Sequence, residues 1–245
     1  MALVHEFENS GNWLFKRRGW LPVFLIVAGI VMMYLGNIQA ILFDLRDEMI
    51  FLGVSLFGQL IRILTIGFTP CSTSGRNTKA GQLADELNVT GFYSVVRHPL
   101  YLGNFFIILG PVLFLRSVCF AVVTCLVFWL YYERIMFAEE QFLRRKFGDI
   151  YDKWAETVGA FIPLFSKFIP PKLKFSVRNV LRREYHSFFI VFVIFTLLDL
   201  FRNFFLTEKI YLTRIWMYLF VIAAGIWIVL RAIDKLTKWL KVEGR

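Results

Sequence analysis

Two short clusters in this 245-residue chain carry groups that bind ions and move protons. The first is "GFYSVVRHPLYLGNF", residues 91 to 105, with Tyr93, Arg97, His98, Pro99 and Tyr101. The second is the carboxylate pair Glu139-Glu140, preceded by Arg134. The residues between them, 100 to 132, form two apolar runs divided only by "RS". Ionisable groups are costly beside hydrocarbon, so a cluster at the mouth of such a run marks a site more often than a scaffold. A hairpin has its two ends side by side. These two runs, folded on each other, bring an Arg/His/Tyr set and a double carboxylate into one pocket.

The elements that must hold this pocket are membrane helices. Hydrophobic residues make up 58% of the chain and the mean hydropathy is +0.60, more apolar surface than a soluble domain of this size could hide. Apolar spans are expected at 20–43, 49–69, 187–206 and 214–230, with Arg62 near one end of the second, where it can snorkel. Residues 100–115 and 117–132 are each short for a crossing, and read as tilted helices or as a hairpin entering partway. "FKRRGW" resembles the basic start of a signal peptide, but the following apolar run is too long and lacks a small-residue cleavage site, so an uncleaved helix is expected. Residues 70–90 read as a polar loop with a short turn of helix at 80–87. Residues 133–158 read as an amphipathic helix on the membrane surface, bent at Gly148. The fold expected is an all-α integral membrane protein with about six membrane helices, two of them a short hairpin, and an amphipathic helix completing the pocket. One membrane domain spans 1–245, with a catalytic core at about 70–165.

Charge sets the expected orientation. If both termini, the 70–98 loop and the 133–186 segment share a side, that side holds 22 of the 28 Lys and Arg residues. The positive-inside rule makes it cytoplasmic. The basic residues flank apolar segments instead of forming one soluble module, which argues against nucleic acid as partner. Three cysteines, Cys71, Cys119 and Cys125, give no disulfide framework and no metal-ligand spacing.

The pattern Gly-x-Tyr-x-x-x-Arg-His-Pro-x-Tyr-x-Gly from Gly91 to Gly103, then Glu-Glu-x-x-Leu-x-x-x-Phe-Gly-x-x-Tyr from Glu139 to Tyr151, resembles the isoprenylcysteine carboxyl methyltransferases and the phospholipid methyltransferases. The resemblance implies a membrane-embedded enzyme that uses S-adenosylmethionine without a Rossmann domain. No Gly-x-Gly-x-x-Gly is present to suggest one. It also implies a cofactor site of Leu87, Asn88, Tyr93, Arg97, His98, Pro99, Leu100, Tyr101, Glu139 and Glu140, with Glu139, His98 and Arg134 as catalytic candidates.

The family's isoprenylcysteine members carry an arginine four residues before the functional glutamate. Here that position is Ile135, and the arginine is Arg134. One residue turns a helix by about 100°, so the substrate end is expected to differ. With "TSGRNTKAGQ" upstream, the chain resembles bacterial enzymes that methylate lipid phosphates of the lipid A type. Arg76, Lys79 and Arg134 are then the expected substrate contacts, the acceptor a membrane lipid at the cytoplasmic face of a bacterial inner membrane, and no metal is required. Two methyltransferase alternatives stand beside it, an ethanolamine N-methyltransferase and an isoprenylcysteine-type carboxyl methyltransferase. A nicotinamide-dependent, sterol-reductase-like enzyme and a non-enzymatic scaffold represent other classes. Only three histidines are present, and so few bases favour an anionic oxygen, which needs none, over an amine.

Overall fold

The computed structural model describes residues 2–35, 44–70, 76–78 and 81–245, with residues 76–78 and 81–83 described through their backbone. Eight α-helices are present among the described residues: α1 (Leu3–Lys16), α2 (Trp20–Leu35), α3 (Leu45–Phe68), α4 (Pro99–Phe114), α5 (Val118–Phe147), α6 (Asp149–Thr157), α7 (Val177–Thr207) and α8 (Arg214–Leu236). Of these, α3, α5, α7 and α8 are long and apolar enough to cross a membrane, and α1 with α2 adds a bent pair that turns by 76°. The chain is an all-α integral membrane protein. Each of the six apolar segments expected from sequence meets one helix, α2, α3, α4, α5, α7 or α8, with residues 36–43 of the first segment lying outside the described residues.

Close packing of small residues seats α4 on α3. Gly58 lies where an added Cβ would stand 2.4 Å from the Gly103 carbonyl oxygen, and Ser55 Oγ donates to the Ile107 carbonyl at 2.9 Å. In lipid, where apolar burial drives little helix association, such backbone approach supplies much of the contact. α4 and α5 do form the anticipated hairpin. Pro99 opens α4 at a position whose N–H would be unbonded anyway, and Ser117 caps α5 by accepting from Phe120 N at 3.3 Å.

Two expectations need correcting. The segment 133–158 is not one helix lying on the surface. Its first half continues α5, whose 30 residues reach about 45 Å and so outrun a hydrocarbon core of about 30 Å. Only α6 is a separate amphipathic piece, divided from α5 by Gly148 at φ +51°, a conformation glycine adopts without strain. The turn of helix expected at 80–87 is not formed over 81–87 either, residue 80 lying outside the described residues. Residues Gly81–Leu83 (β2) pair antiparallel with Arg76–Thr78 (β1), with Thr78 opposite Gly81.

The helix α1, absent from the sequence reading, packs along the projecting end of α5. An added Cβ at Gly11 would overlap the Arg134 carbonyl oxygen, Phe7 meets Phe137 edge-on at 5.7 Å, and Glu8 pairs with Arg145 at 2.6 Å. The apolar core lies toward the other end, where Phe195 stacks on Trp216 at 5.1 Å and Phe114 meets both rings edge-on.

Candidate active site

The segment before α4 cannot join the helix at His98, because Pro99 disfavours helical geometry in its predecessor; His98 sits at φ −121°, ψ 61°. Its extended backbone is held instead by the chain that returns from α6. Arg97 N donates to the Gly159 carbonyl at 2.9 Å, His98 N to the Ala160 carbonyl at 3.2 Å, and Leu164 N to the Val95 carbonyl at 2.9 Å. Thus the 158–164 strap fixes the Arg-His-Pro turn before any side chain is considered.

The side chains then lock onto α5. Arg97 Nε donates to Glu140 Oε1 at 2.9 Å, and its Nη1 donates to the carbonyls of Ala155 and Val158 at 2.8 and 2.6 Å. One guanidinium therefore joins α5, the end of α6 and the turn. His98 Nε2 lies 3.0 Å from the same Glu140 oxygen and must be the donor, since a carboxylate only accepts. His98 Nδ1 is 3.7 Å from Glu139 Oε2, which also accepts from the Tyr101 hydroxyl at 3.0 Å. His98, Tyr101 and Glu139 are all buried. The two clusters at the ends of the hairpin do meet.

They line a cavity of about 360 Å³, within the usual size range of small-molecule sites. Tyr93, Arg97, His98, Pro99, Leu100, Tyr101 and Glu139 border it, and Glu140 stands behind as the partner of Arg97 and His98. Of the other sequence candidates, Leu87 packs with Ala84, Leu143 and Tyr151 in the wall, and Asn88 uses its carboxamide oxygen on the Thr90 amide and hydroxyl at 3.2 Å each. Arg134 is not at the cavity. Its guanidinium lies 3.4 Å over the Phe7 ring of α1, because five residues from Glu139 turn the helix by about 140° away from that face. Lys79 lies outside the described residues, and the Arg76 side chain likewise.

The sequence reading missed part of this wall. Arg18, Arg62, Asn104, Tyr151, Trp154, Arg183 and Glu184 all border the cavity. Arg62 does not snorkel: its Nε and Nη2 grip Glu184 of α7 at 2.8 and 2.7 Å, and its Nη1 donates to Asn104 at 2.7 Å. Gln59 Nε2 donates to the same Glu184 at 2.7 Å. The Tyr that ends the second motif pattern, Tyr151, is fully buried at the cavity, and its hydroxyl has no hydrogen bond of ordinary geometry. Burial, then the charge of Glu140, raises its pKa well above the ordinary phenol range, and burial does the same for Tyr93. Both phenols stay protonated at neutral pH, and Tyr151 is a donor awaiting an acceptor.

That set fits S-adenosylmethionine. Arginines Arg18, Arg97 and Arg183 are placed to attract a carboxylate, Glu139 to favour a sulfonium or ammonium, aromatic faces to stack, and the Tyr151 hydroxyl to donate.

Comparison with known proteins points the same way. Residues 49–150 match the family described as phospholipid methyltransferase. The nickel-cobalt-cadmium resistance protein NccN of Alcaligenes xylosoxydans xylosoxydans is 36% identical over 112 residues, 43% of this chain and 52% of that protein. The protein-S-isoprenylcysteine O-methyltransferase of Schizosaccharomyces pombe is 37% identical over 81 residues, 33% of this chain and 34% of its own length. That of Tribolium castaneum is 29% identical over 120 residues, 47% of this chain and 41% of its own length. The chain thus spans about a third to a half of the length of these relatives. No solved structure matches it significantly. The matched segment runs from α3 into α6 and holds both motif clusters, whereas Arg183 and Glu184 of α7 lie beyond it.

Proposed function

We propose that this chain, which belongs to the superfamily of isoprenylcysteine and phospholipid methyltransferases, moves a methyl group from S-adenosylmethionine to an anionic oxygen on a membrane lipid, best a head-group phosphate. The observation that carries the reading is the joining of Arg97, His98, Tyr101, Glu139 and Glu140 around one cavity at the mouth of the α4–α5 hairpin. When bound, the cofactor supplies an already activated methyl group, so the protein's tasks are alignment and exclusion of water.

The residues divide those tasks. Glu140 holds Arg97 and His98 in place, and the α6 carbonyls complete the hold on Arg97. Tyr101 fixes the rotamer of Glu139. Trp154 closes the wall, its indole donating to the Tyr93 carbonyl at 3.2 Å. Both His98 nitrogens face carboxylates, so His98 positions its neighbours. An acceptor oxygen that is already ionised needs no base. For the acceptor, Arg18, Arg62 and Arg183 are basic groups at the cavity, whereas Arg134 is turned away from it and the side chains of Arg76 and Lys79 lie outside the described residues.

A second reading is a carboxylate acceptor of the isoprenylcysteine type. The names of two relatives favour it, and against it stands Ile135 in the place of the family's arginine, with Arg134 turned onto Phe7. Both readings share an anionic oxygen. The excess of basic residues on the pocket side supports a cytoplasmic site in a bacterial inner membrane.

The test is to supply the purified protein with tritiated S-adenosylmethionine in a phospholipid extract and with a farnesylcysteine analogue. Label retained on a phosphate ester through mild alkali supports the first reading. Label released as methanol from the analogue supports the second. Label on an amine nitrogen would overturn both.

A further inference from the structure

A second cavity of about 300 Å³ opens between α7 and α8, at the same end of the bundle as the first. Its charge is one-sided. Arg182 and Arg183 come from α7, Arg231 and Lys235 from α8, and Arg245 from the segment beyond, against the single carboxylate of Asp234. Arg231, Asp234 and Lys235 stand at helical spacing on one face of α8. Asp234 pairs with Arg182 at 4.0 Å, one carboxylate against five cations. Like charges gathered this closely repel unless an anion sits among them.

Aromatic side chains lie beside the groove. The Arg231 guanidinium rests 4.8 Å over the Trp227 ring, and the Trp227 indole donates to His186 Nδ1 at 3.0 Å. Arg245 is tied down by donating to the Gly67 carbonyl at 2.7 Å and to the Lys174 carbonyl, which orders this side of the groove. About one turn deeper along the helices, Ile190, Ile228 and Val229 are more than half exposed, as residues facing acyl chains would be. A basic cavity bordered below by a lipid-facing surface suits a head group whose own chains run down that surface.

We infer that this groove binds the phosphate of an anionic phospholipid, held as a resident and not as the methyl acceptor. Arg183 borders both cavities, so the occupant of the groove lies across one guanidinium from the candidate active site. Binding here is independent of methyl transfer and goes beyond the proposed activity.

The experiment is native mass spectrometry of the purified full chain titrated with phosphatidylglycerol, without S-adenosylmethionine. Each interfacial cation contributes a modest attraction to an anionic surface, and removing two, in the double variant Arg231→Gln and Lys235→Gln, should weaken retention of the first lipid about tenfold. Asp234→Asn should tighten retention several-fold, a direction that misfolding does not produce. Phosphatidylcholine should bind the native chain no better than the double variant. Equal retention of phosphatidylglycerol by the native chain and the double variant would overturn the site, as would weaker binding by Asp234→Asn. Displacement by inorganic phosphate at matched concentration would overturn a lipid as occupant.

Discussion

The two ends of the helical bundle both bury charge, and they do so in opposite ways. Away from the cavity, Glu48 of α3 accepts from Arg202 with one oxygen and from the Trp216 indole with the other, at 2.6 Å. Asp199 accepts from Arg202 and the Thr213 hydroxyl on one oxygen, and from Asn203 and the Thr213 amide on the other. All four carboxylate oxygens have donors, and the cluster pins α3, α7 and α8 together. At the near end the groups are buried or half-buried, but they surround open volume, and Tyr151 keeps a donor in reserve. Closed charge networks hold a fold, and networks with space and an unspent donor hold a ligand. Burial of charge alone does not separate the two.

Substitutions can break this contrast. The largest effect is expected at the closed end. Arg202→Ala leaves two buried carboxylates without their cation and should cost about 3–5 kcal/mol of stability, read as a lowered melting temperature in detergent. The fraction that remains folded should bind S-adenosylmethionine as the native chain does. A variant that loses binding without losing stability would reverse the assignment of the two ends.

At the open end the effects should exchange. Arg97→Ala and Glu139→Ala each remove a charged partner from a largely desolvated site and should weaken cofactor binding or turnover by about 2–5 kcal/mol while the protein still inserts. Arg97→Ala should also loosen α6, since two carbonyls lose their donor, and proteolysis within 149–157 would report it. Near-native activity in both variants would place the site elsewhere.

Smaller effects sharpen the same line. Tyr151→Phe deletes the unpaired hydroxyl, so the unliganded protein should be no less stable, whereas cofactor affinity should fall by about 1 kcal/mol. A loss of stability instead would mean that the hydroxyl already has a partner. Glu8→Ala breaks a pair whose arginine is more than half exposed and should change stability by less than about 0.5 kcal/mol.

The contrast also explains what could be read in the sequence. Helix positions followed from apolar run length, and the meeting of Arg97-His98 with Glu139-Glu140 followed from hairpin geometry, because both depend on local order in the chain. Arg62 was legible only as a snorkelling cation. Its actual partner Glu184 is 122 residues away on α7, and no periodicity or spacing encodes such a pair. Arg18 and Arg183 likewise border the cavity from distant parts of the chain, which spacing does not encode. The helix α1 was overlooked because its apolar stripe, including Phe7 and Phe15, is interrupted by Glu6, Glu8, Asn9 and Ser10 and packs on α5 instead of crossing the membrane. Arg134 shows the opposite error. Its type and nearness to Glu139 suggested a site, and one residue of helical phase turned it onto Phe7.

The central claim is that the α4–α5 cavity takes S-adenosylmethionine with Glu139 favouring its positive charge. Titration calorimetry of the native chain and of Glu139→Gln, each with S-adenosylmethionine and with uncharged-sulfur S-adenosylhomocysteine, tests it most directly. The account predicts that Glu139→Gln loses affinity for both through their shared ammonium, and loses about tenfold more for the sulfonium form. Equal affinities of the native chain and Glu139→Gln for the sulfonium form would contradict it.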